Sequence, residues 1–598
     1  MIERVGFASI AIAAIFGNAL AVQAQIPPTI LDNIEDSLPP ASDINRPQQP
    51  SETPLVEPVP VNPPSDLLGL PCNLPPAGRN SRLPNVRIAT IRTEGNTILS
   101  LREKIDELLK PYDNQIINFE TVRCLTDEIT KIYLDARYIP KDVFVPDQVL
   151  REGNHVIIQV DESFRPKIEI EGLTYLQEAY VRNRLERVIT TPLHLPTLDD
   201  TFALLSEKPF FERIAPELIL YNDGSGLLRV EIEEALPFRP RFSFDNRFSP
   251  STGAIQGNFL AQFDNLVGWG DRLSMGVELS EGANTYNLGY NIPVNPLDGI
   301  LSVRYARGDS RIIRGEIRDF GIRVEEEQFS FGFRQPLYQT PKREFALGLT
   351  FDVRRNQTFI FDDLPFSLTP GADGGLSRAS VLRFSQEWHD RGQSHFFGIR
   401  SQFSFGLDLF DATVNNIEPD GMFFSWQGDL LWAKRLSPRD RLIQASAIAR
   451  LSAQLTPHSL LSLESASLGG INNLKGYRPG LLSGDNGIWG SLEVPISFAR
   501  RTGKKKNEDG QNENEQPEAR ATQEYLQIVP SIAIGTVWNN NTPNPNPSTL
   551  ASLGLGLRWQ IIDNLFVHLD YGIPLVTLEN RGSSLQDRGL FFALRYEF

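Results

Sequence analysis

From about residue 237 to the end of the chain, apolar side chains alternate with polar or small ones and helical spacing disappears. In the last stretch Leu590, Phe592, Leu594, Tyr596 and Phe598 share one face, with Ala593, Arg595 and Glu597 on the other. "LASLGLGLRWQ" sets Leu553, Leu555, Leu557 and Trp559 against Gly554, Gly556 and Arg558. "LFVHLDYG" sets Leu565, Val567, Leu569 and Tyr571 against His568 and Asp570. Successive residues of a strand face opposite ways. A long sheet that is apolar on one side and polar on the other, repeated strand after strand, is the pattern of a transmembrane β-barrel with a polar lumen. Such a sheet has to close, because an open edge in lipid leaves backbone groups unpaired. The competing reading is a soluble all-β protein whose sheets pack face to face. The polar second faces and the aromatics near strand ends favour the membrane. Sixteen segments read as strands, from "PRFSFDNRF" to "LFFALRYEF". An even number suits an outer-membrane barrel. A charged insertion, "RRTGKKKNEDGQNENEQPEARATQ", separates the twelfth from the thirteenth.

The N-terminal part is organised differently. Arg4, the apolar run "VGFASIAIAAIF" and the small residues of "AVQA" form a secretory signal over residues 1–24. Residues 25–85 are Pro-rich and poor in aromatics, so they cannot bury a core. They read as a linker or as a mobile plug segment, and both readings stay open. Residues 86–163 then run β-α-α-β-β: "VRIATIRTEG" alternates, "SLREKIDELLKPY" and "NFETVRCLTDEITKIYLDARYI" have helical spacing, and "DVFVPDQVL" and "NHVIIQVDE" return to strand. Residues 164–236 repeat that order. Their last two strands are joined by "DGSG", a hairpin signal.

Function classes can be excluded from the same residues. A net charge of −16 disfavours nucleic acid, which wants a basic surface. The six histidines are scattered without metal-ligand spacing, and no nucleophile elbow or phosphate loop occurs. The sequence therefore leads us to expect no enzyme, no metal and no cofactor. "RGDS" at Arg307–Ser310 ends a strand and is too short a match to argue adhesion; His389-Asp390 reads as the polar end of a strand. Cys72 and Cys124 are the two cysteines, and an exported chain would join them in one disulfide.

One segment escapes the alternation. "LGGINNLKGYRPGLLSGDNG", residues 468–487, lies between the eleventh and twelfth strands. Loops of such length are functional or disordered. Its glycines permit tight turns and close approach to a wall. Leu474, Lys475, Gly476, Tyr477 and Arg478 would form its tip if it folded into the barrel.

Here the chain resembles a family: the TpsB-type transporters of two-partner secretion, which export haemolysins and filamentous adhesins. The resemblance rests on "VFVPDQVLREGNHVIIQVDE", on two α/β units before a barrel, on "GGINNLKGYRPGLLSGDNG" and on the aromatic end at Tyr596 and Phe598, similar to the family's assembly signal. It implies α+β periplasmic POTRA repeats (86–163 and 164–236) followed by an all-β 16-stranded transmembrane barrel (237–598) in a bacterial outer membrane. It implies a secreted partner protein, an adhesin or haemolysin, captured unfolded and passed through the lumen without ATP, and partners in outer-membrane lipid and the barrel assembly machinery. An assembly factor for other barrels shares this architecture, and a passive porin with adaptor domains is a further alternative. In the family the loop tip carries Arg, paired with an Asp on a Phe-x-Asp-x-Gly wall strand. This chain has Lys475 at the tip, and Ala533, before Gly535, where the Asp belongs. Its tip cation would need another carboxylate, with Asp485 and Glu493 nearby in sequence, or Arg478 would be the cation that pairs.

Overall fold

The computed structural model describes residues 61–62 and 86–597, apart from 150, 152, 222, 316, 439–441, 502–521, 563 and 579–581. The signal (1–24), nearly all of the Pro-rich segment (25–85), Cys72, Phe598 and most of the charged insertion lie outside the described residues. By internal packing the chain divides into two units, one holding the α/β repeats and the other the long antiparallel strands.

The first repeat packs helices α1 (Leu99–Leu109) and α2 (Phe119–Asp135) on a three-stranded sheet. In that sheet Thr90–Glu94 runs parallel to His155–Asp161, which is antiparallel to Asp142–Phe144. Leu101, Ile105, Leu125, Ile129, Tyr133, Val156 and Ile158 fill the space between, at helix spacing on one side and strand spacing on the other. Asn118 caps α2 by accepting the Thr121 amide at 2.9 Å. The strand expected over "DVFVPDQVL" stops at Phe144 because Pro146 has no N–H to donate. Gln148 takes over with its side chain, donating to the Ile157 carbonyl at 2.7 Å and accepting from the Ile157 amide at 3.0 Å. Cys124 sits on α2 and is disulfide-bonded.

The second repeat carries α3 (Glu178–Val188) and α4 (Leu195–Ser206). They cover a sheet in the order Phe211–Leu220, Gly226–Glu234, Lys167–Glu171, and Phe211–Leu220 also pairs in parallel with Val61–Asn62 of the Pro-rich segment. The hairpin expected at "DGSG" joins the first two of these strands.

The other unit is a closed barrel. Its strands are β1 (Phe238–Asp245), β2 (Gln256–Asp264), β3 (Arg272–Ser280), β4 (Ala283–Pro293), β5 (Ile300–Arg311) and β6 (Arg323–Gln339). There follow β7 (Arg343–Ile360), β8 (Leu376–Arg391), β9 (His395–Leu407), β10 (Phe424–Arg435) and β11 (Ile443–Leu455). Strand β12 comes in two pieces, Asn486–Glu493 and Ile496–Arg501, and β13 (Thr522–Trp538), β14 (Thr549–Ile562), β15 (Leu565–Pro574) and β16 (Leu590–Glu597) complete the set. All sixteen expected strands are present. Pro495 accounts for the break in β12, since it cannot donate to the ladder. Closure is made by β1 against β16, from Arg241 opposite Glu597 to Asp245 opposite Ala593, with Tyr596 opposite Phe242.

The alternation is obeyed in space. Leu555, Ile534 and Tyr571 are exposed on the outer surface, whereas Asp352, Glu387, Gln402 and Glu493 are buried within the barrel. No helix among the described residues is long and apolar enough to cross a membrane. "RGDS" lies in β5 with both neighbours paired, from Asn284 on one side to Glu327 on the other. His389 and Asp390 stand at the end of β8, where Asp390 accepts from Arg343 Nε at 2.6 Å.

Candidate functional site: the tip of the loop between β11 and β12

The two strands flanking the loop are neighbours, with Gln454 opposite Gly487, so the chain leaves and re-enters at one rim. At the base, the Asp485 carboxylate accepts from the Leu460 amide at 2.8 Å and the Asn540 amide at 2.9 Å. Ala466–Leu468 and Leu482–Gly484 then pair as a small antiparallel ribbon. Gly469 and Gly470 turn the chain with φ of +111° and +101°, where a side chain would be strained. Asn473 fixes the bend, its Oδ1 accepting from the amides of Gly469 at 2.9 Å and Leu474 at 2.8 Å.

The tip is buried: Leu474 is 0% exposed, Tyr477 3% and Lys475 8%. Leu474 and Tyr477 pack with Leu468, Val537, Leu550 and Ala533. Ala533 is thus part of an apolar seat for the tip. The Tyr477 hydroxyl donates to the Ala551 carbonyl at 2.8 Å and accepts from the Val576 amide at 3.0 Å. Gly476 passes so close to β15 that a Cβ on it would stand 2.8 Å from the Gly572 carbonyl carbon and oxygen. Gly535 likewise faces Trp489 and Leu468 too closely for a side chain.

Lys475 donates to Glu493 Oε1 at 2.9 Å and to Asp570 Oδ1 at 2.9 Å. Glu493 Oε2 also accepts from Arg558 Nη2 at 3.1 Å and Arg450 Nη1 at 3.3 Å. A buried charge is tolerable only when paired and hydrogen-bonded, and here each carboxylate has a cation. The chemistry explains why Lys suits this seat. Arg presents a rigid fork that grips one carboxylate, whereas the ammonium spreads three donors in space. Ala533 offers no side-chain acceptor; the acceptors come from β12 and β15, and one ammonium bridges them. Arg478 makes its own pair with Asp587, through Nη2 to Oδ2 at 2.8 Å and through Nε to Oδ1.

Of the candidate partners, Glu493 meets Lys475 and Asp485 does not; Asp485 holds the loop base. Asp570 was not among the candidates, although the alternation of β15 already turns it inward. What the pattern lacks is the register that sets its height against the tip. No group of His, Cys, Asp and Glu that would hold a metal occurs among the described residues.

Comparison with known proteins gives consistent matches. The family model for haemolysin secretion/activation protein ShlB/FhaC/HecB matches residues 224–508, and that for the ShlB-type POTRA domain matches 86–163. The outer membrane transporter CdiB of Dickeya dadantii (strain 3937) is 23% identical over 439 residues, covering 69% of this chain and 74% of its own length. The heme/hemopexin transporter protein HuxB of Haemophilus influenzae is 22% identical over 401 residues, covering 64% and 67%. Among solved structures, CdiB from Escherichia coli aligns with a TM-score of 0.66 at 19% identity, covering 96% of this chain and 100% of that one. CdiB from Acinetobacter baumannii gives 0.59 at 15% identity, covering 87% and 91%. At these identities the structural likeness carries the fold.

Proposed function

Because this chain belongs to the haemolysin secretion/activation family of two-partner secretion transporters, we propose that it is an outer-membrane pore that takes an unfolded partner exoprotein from the periplasm and passes it to the cell surface. The carrying observation is the loop tip locked inside a closed sixteen-stranded barrel, in a chain that places two α/β repeats before it. The repeats, at 86–163 and 164–236, are the capture domains. They offer sheet edges along Asp142–Phe144 and Lys167–Glu171, and adding a strand to an edge binds through the main chain, which tolerates varied cargo sequences. Residues 1–24 direct export, and residues 25–85 form a spacer or plug. Tyr596, near the end of β16, and Phe598 address the chain to the barrel assembly machinery and so to outer-membrane lipid.

No nucleotide site is called for in this reading. The sequence has no phosphate loop, and folding of the cargo outside would give direction to transport. The chain acts by holding and releasing, with no catalysed reaction. The test is an in-frame deletion of residues 86–163, scored by surface release of the partner protein. Release should be lost while the barrel still assembles; undiminished release would remove the capture role. Depletion should abolish one secreted product, whereas broad loss of other barrels would point to an assembly factor.

A further inference from the structure

The loop is gripped on the opposite side of the lumen as well. Before the tip, Ser462–Glu464 form one 3-10 turn. Arg383 of β8 donates through Nη2 to both carboxylate oxygens of Glu464, each at 2.9 Å. Arg354 of β7 donates through Nη1 to Glu464 Oε1 at 2.9 Å and to the Leu463 carbonyl at 2.6 Å. The Glu464 side chain is only 6% exposed. Leu460, Leu461 and Leu463 pack beside it against Ala379 and Val381 of β8 and Phe423. The loop is therefore a strap across the barrel, with an anionic hold on β7–β8 and a cationic hold on β12 and β15.

The wall keeps counter-charges of its own on both sides. If Glu464 withdraws, Arg383 retains the Asp352 carboxylate at 2.6 Å and the Ser404 hydroxyl at 2.9 Å. If Lys475 withdraws, Glu493 retains Arg450 and Arg558, while Asp570 gives up the ammonium that pairs with it. Stranding a buried charge is strongly unfavourable, and a contact that strands one is a permanent strut. Arg383 and Glu493, the wall groups that meet Glu464 and Lys475, are not stranded in this way, so the two holds can reverse at those groups. We propose that Glu464 is a second latch of the strap, separable from Lys475, and that the lumen clears only when both have let go. The proposal rests on reading the loop as the gate of a protein-conducting pore.

The test uses the full-length chain in planar lipid bilayers, counting full-conductance openings. Glu464→Gln, nearly the same shape, should raise their frequency at least tenfold, the effect of about 1.4 kcal/mol. Lys475→Met should do the same, and the double variant should multiply the two effects, as independent sites do. Arg354→Gln approaches the latch from the wall and should match Glu464→Gln. Heat-shifted gel migration verifies that each barrel is folded. A disulfide between cysteines placed at Leu463 and Ala379 gives a measurement without charge loss. In the Lys475→Met background the oxidised pore should stay shut and open on reduction. Openings equal to the unaltered chain in Glu464→Gln and Arg354→Gln, a double variant no different from Lys475→Met alone, or equal opening oxidised and reduced would each overturn the latch. Conductance needs no cargo. Latch behaviour with no exported partner would therefore remove the secretion reading and leave the latch standing.

Discussion

Lys475 reaches Glu493 at 2.9 Å from a tip whose neighbours Leu474 and Tyr477 share an apolar cluster with Ala533. The same ammonium reaches Asp570 at 2.9 Å on another strand. Its loss removes two hydrogen bonds to charged groups, which contribute about 1.5–3 kcal/mol each. Glu493 keeps Arg450 and Arg558, whereas buried Asp570 loses its cation, so most of the cost falls at Asp570. We expect Lys475→Ala to undock the tip without unfolding the barrel. Limited chymotrypsin digestion should then cut at Tyr477, which is buried in the unaltered chain. Resistance equal to that of the unaltered protein would show that the tip does not depend on this cation.

How far the sequence reaches is visible in these residues. Period-two alternation names the inward side chains, so Asp570, Arg558 and Glu493 were assignable to lumen or lipid one strand at a time. The number of strands followed from the same signal. Register did not. The heights at which Glu493, Asp570 and Lys475 meet depend on the stagger between β12 and β15 and on the Gly469–Gly470 turn, and no local pattern encodes either. Glu464 shows the limit most clearly. It stands in a loop, where no periodicity points a side chain anywhere, and its partners Arg354 and Arg383 lie 110 and 81 residues away in sequence. Pro146 is the opposite case, a breaker readable in "DVFVPDQVL" that does end the strand at Phe144 although the apolar run continues past it.

Gly476 and Gly572 bring two backbones together. At Gly476 φ is +94°, and a Cβ there would meet the Gly572 carbonyl at 2.8 Å. A Cβ on Gly572 would meet the Gly476 nitrogen at 2.2 Å, and backbone cannot swing aside as a side chain can. Gly476→Ala carries both steric and conformational strain, about 1–3 kcal/mol for the backbone alone. Both alanine variants should release the tip and impair partner secretion while retaining heat-shifted migration. Full secretion by both would show that close approach of the tip to β15 is dispensable.

Removing one oxygen from Tyr477 isolates its polar role. Tyr477→Phe keeps the ring in its apolar seat but leaves the Ala551 carbonyl and the Val576 amide without the hydroxyl. Net loss should be about 1–2 kcal/mol. Amide exchange at Val576 should accelerate about five- to thirtyfold, by the conversion of that energy to an equilibrium constant. Unchanged exchange would mean that Val576 is protected by something other than the tip.

In the first repeat, the Tyr133 hydroxyl donates to Glu162 Oε1 at 2.6 Å beneath α2, and Thr97 donates to the same carboxylate from its amide at 3.0 Å. Burial, then the bond and charge of Glu162, push the Tyr133 hydroxyl above its ordinary value of 10.0. The folded pKa is raised above the unfolded one. The contribution is therefore complete below about pH 10 and declines as pH rises beyond it, because the unfolded chain releases the proton first. Hydrogen exchange of α2 in the full chain should speed up above pH 10. Tyr133→Phe should weaken the repeat by about 1–2 kcal/mol at neutral pH and flatten that alkaline limb. A limb of the same steepness in the variant would assign it to other groups.

Ala533 and Lys475 should behave as a pair. Ala533→Asp alone puts a carboxylate among Leu474, Val537 and Leu550, which are each 0% exposed. Such a group costs about 1–3 kcal/mol when its partner is not in place. It also pulls Lys475 from a bridge that suits an ammonium toward a site that suits a fork. Combined with Lys475→Arg, the carboxylate regains a bidentate partner of the kind the family resemblance implies for this wall. The double variant should therefore dock its tip better than Ala533→Asp alone, by about 0.5–3 kcal/mol of coupling, the range for residues in contact. Chymotrypsin protection of Tyr477 across the four chains of the cycle measures it. Additive effects would mean that residue 533 and the tip cation do not communicate, and that the apolar seat and the Glu493–Asp570 bridge are separate features of the wall.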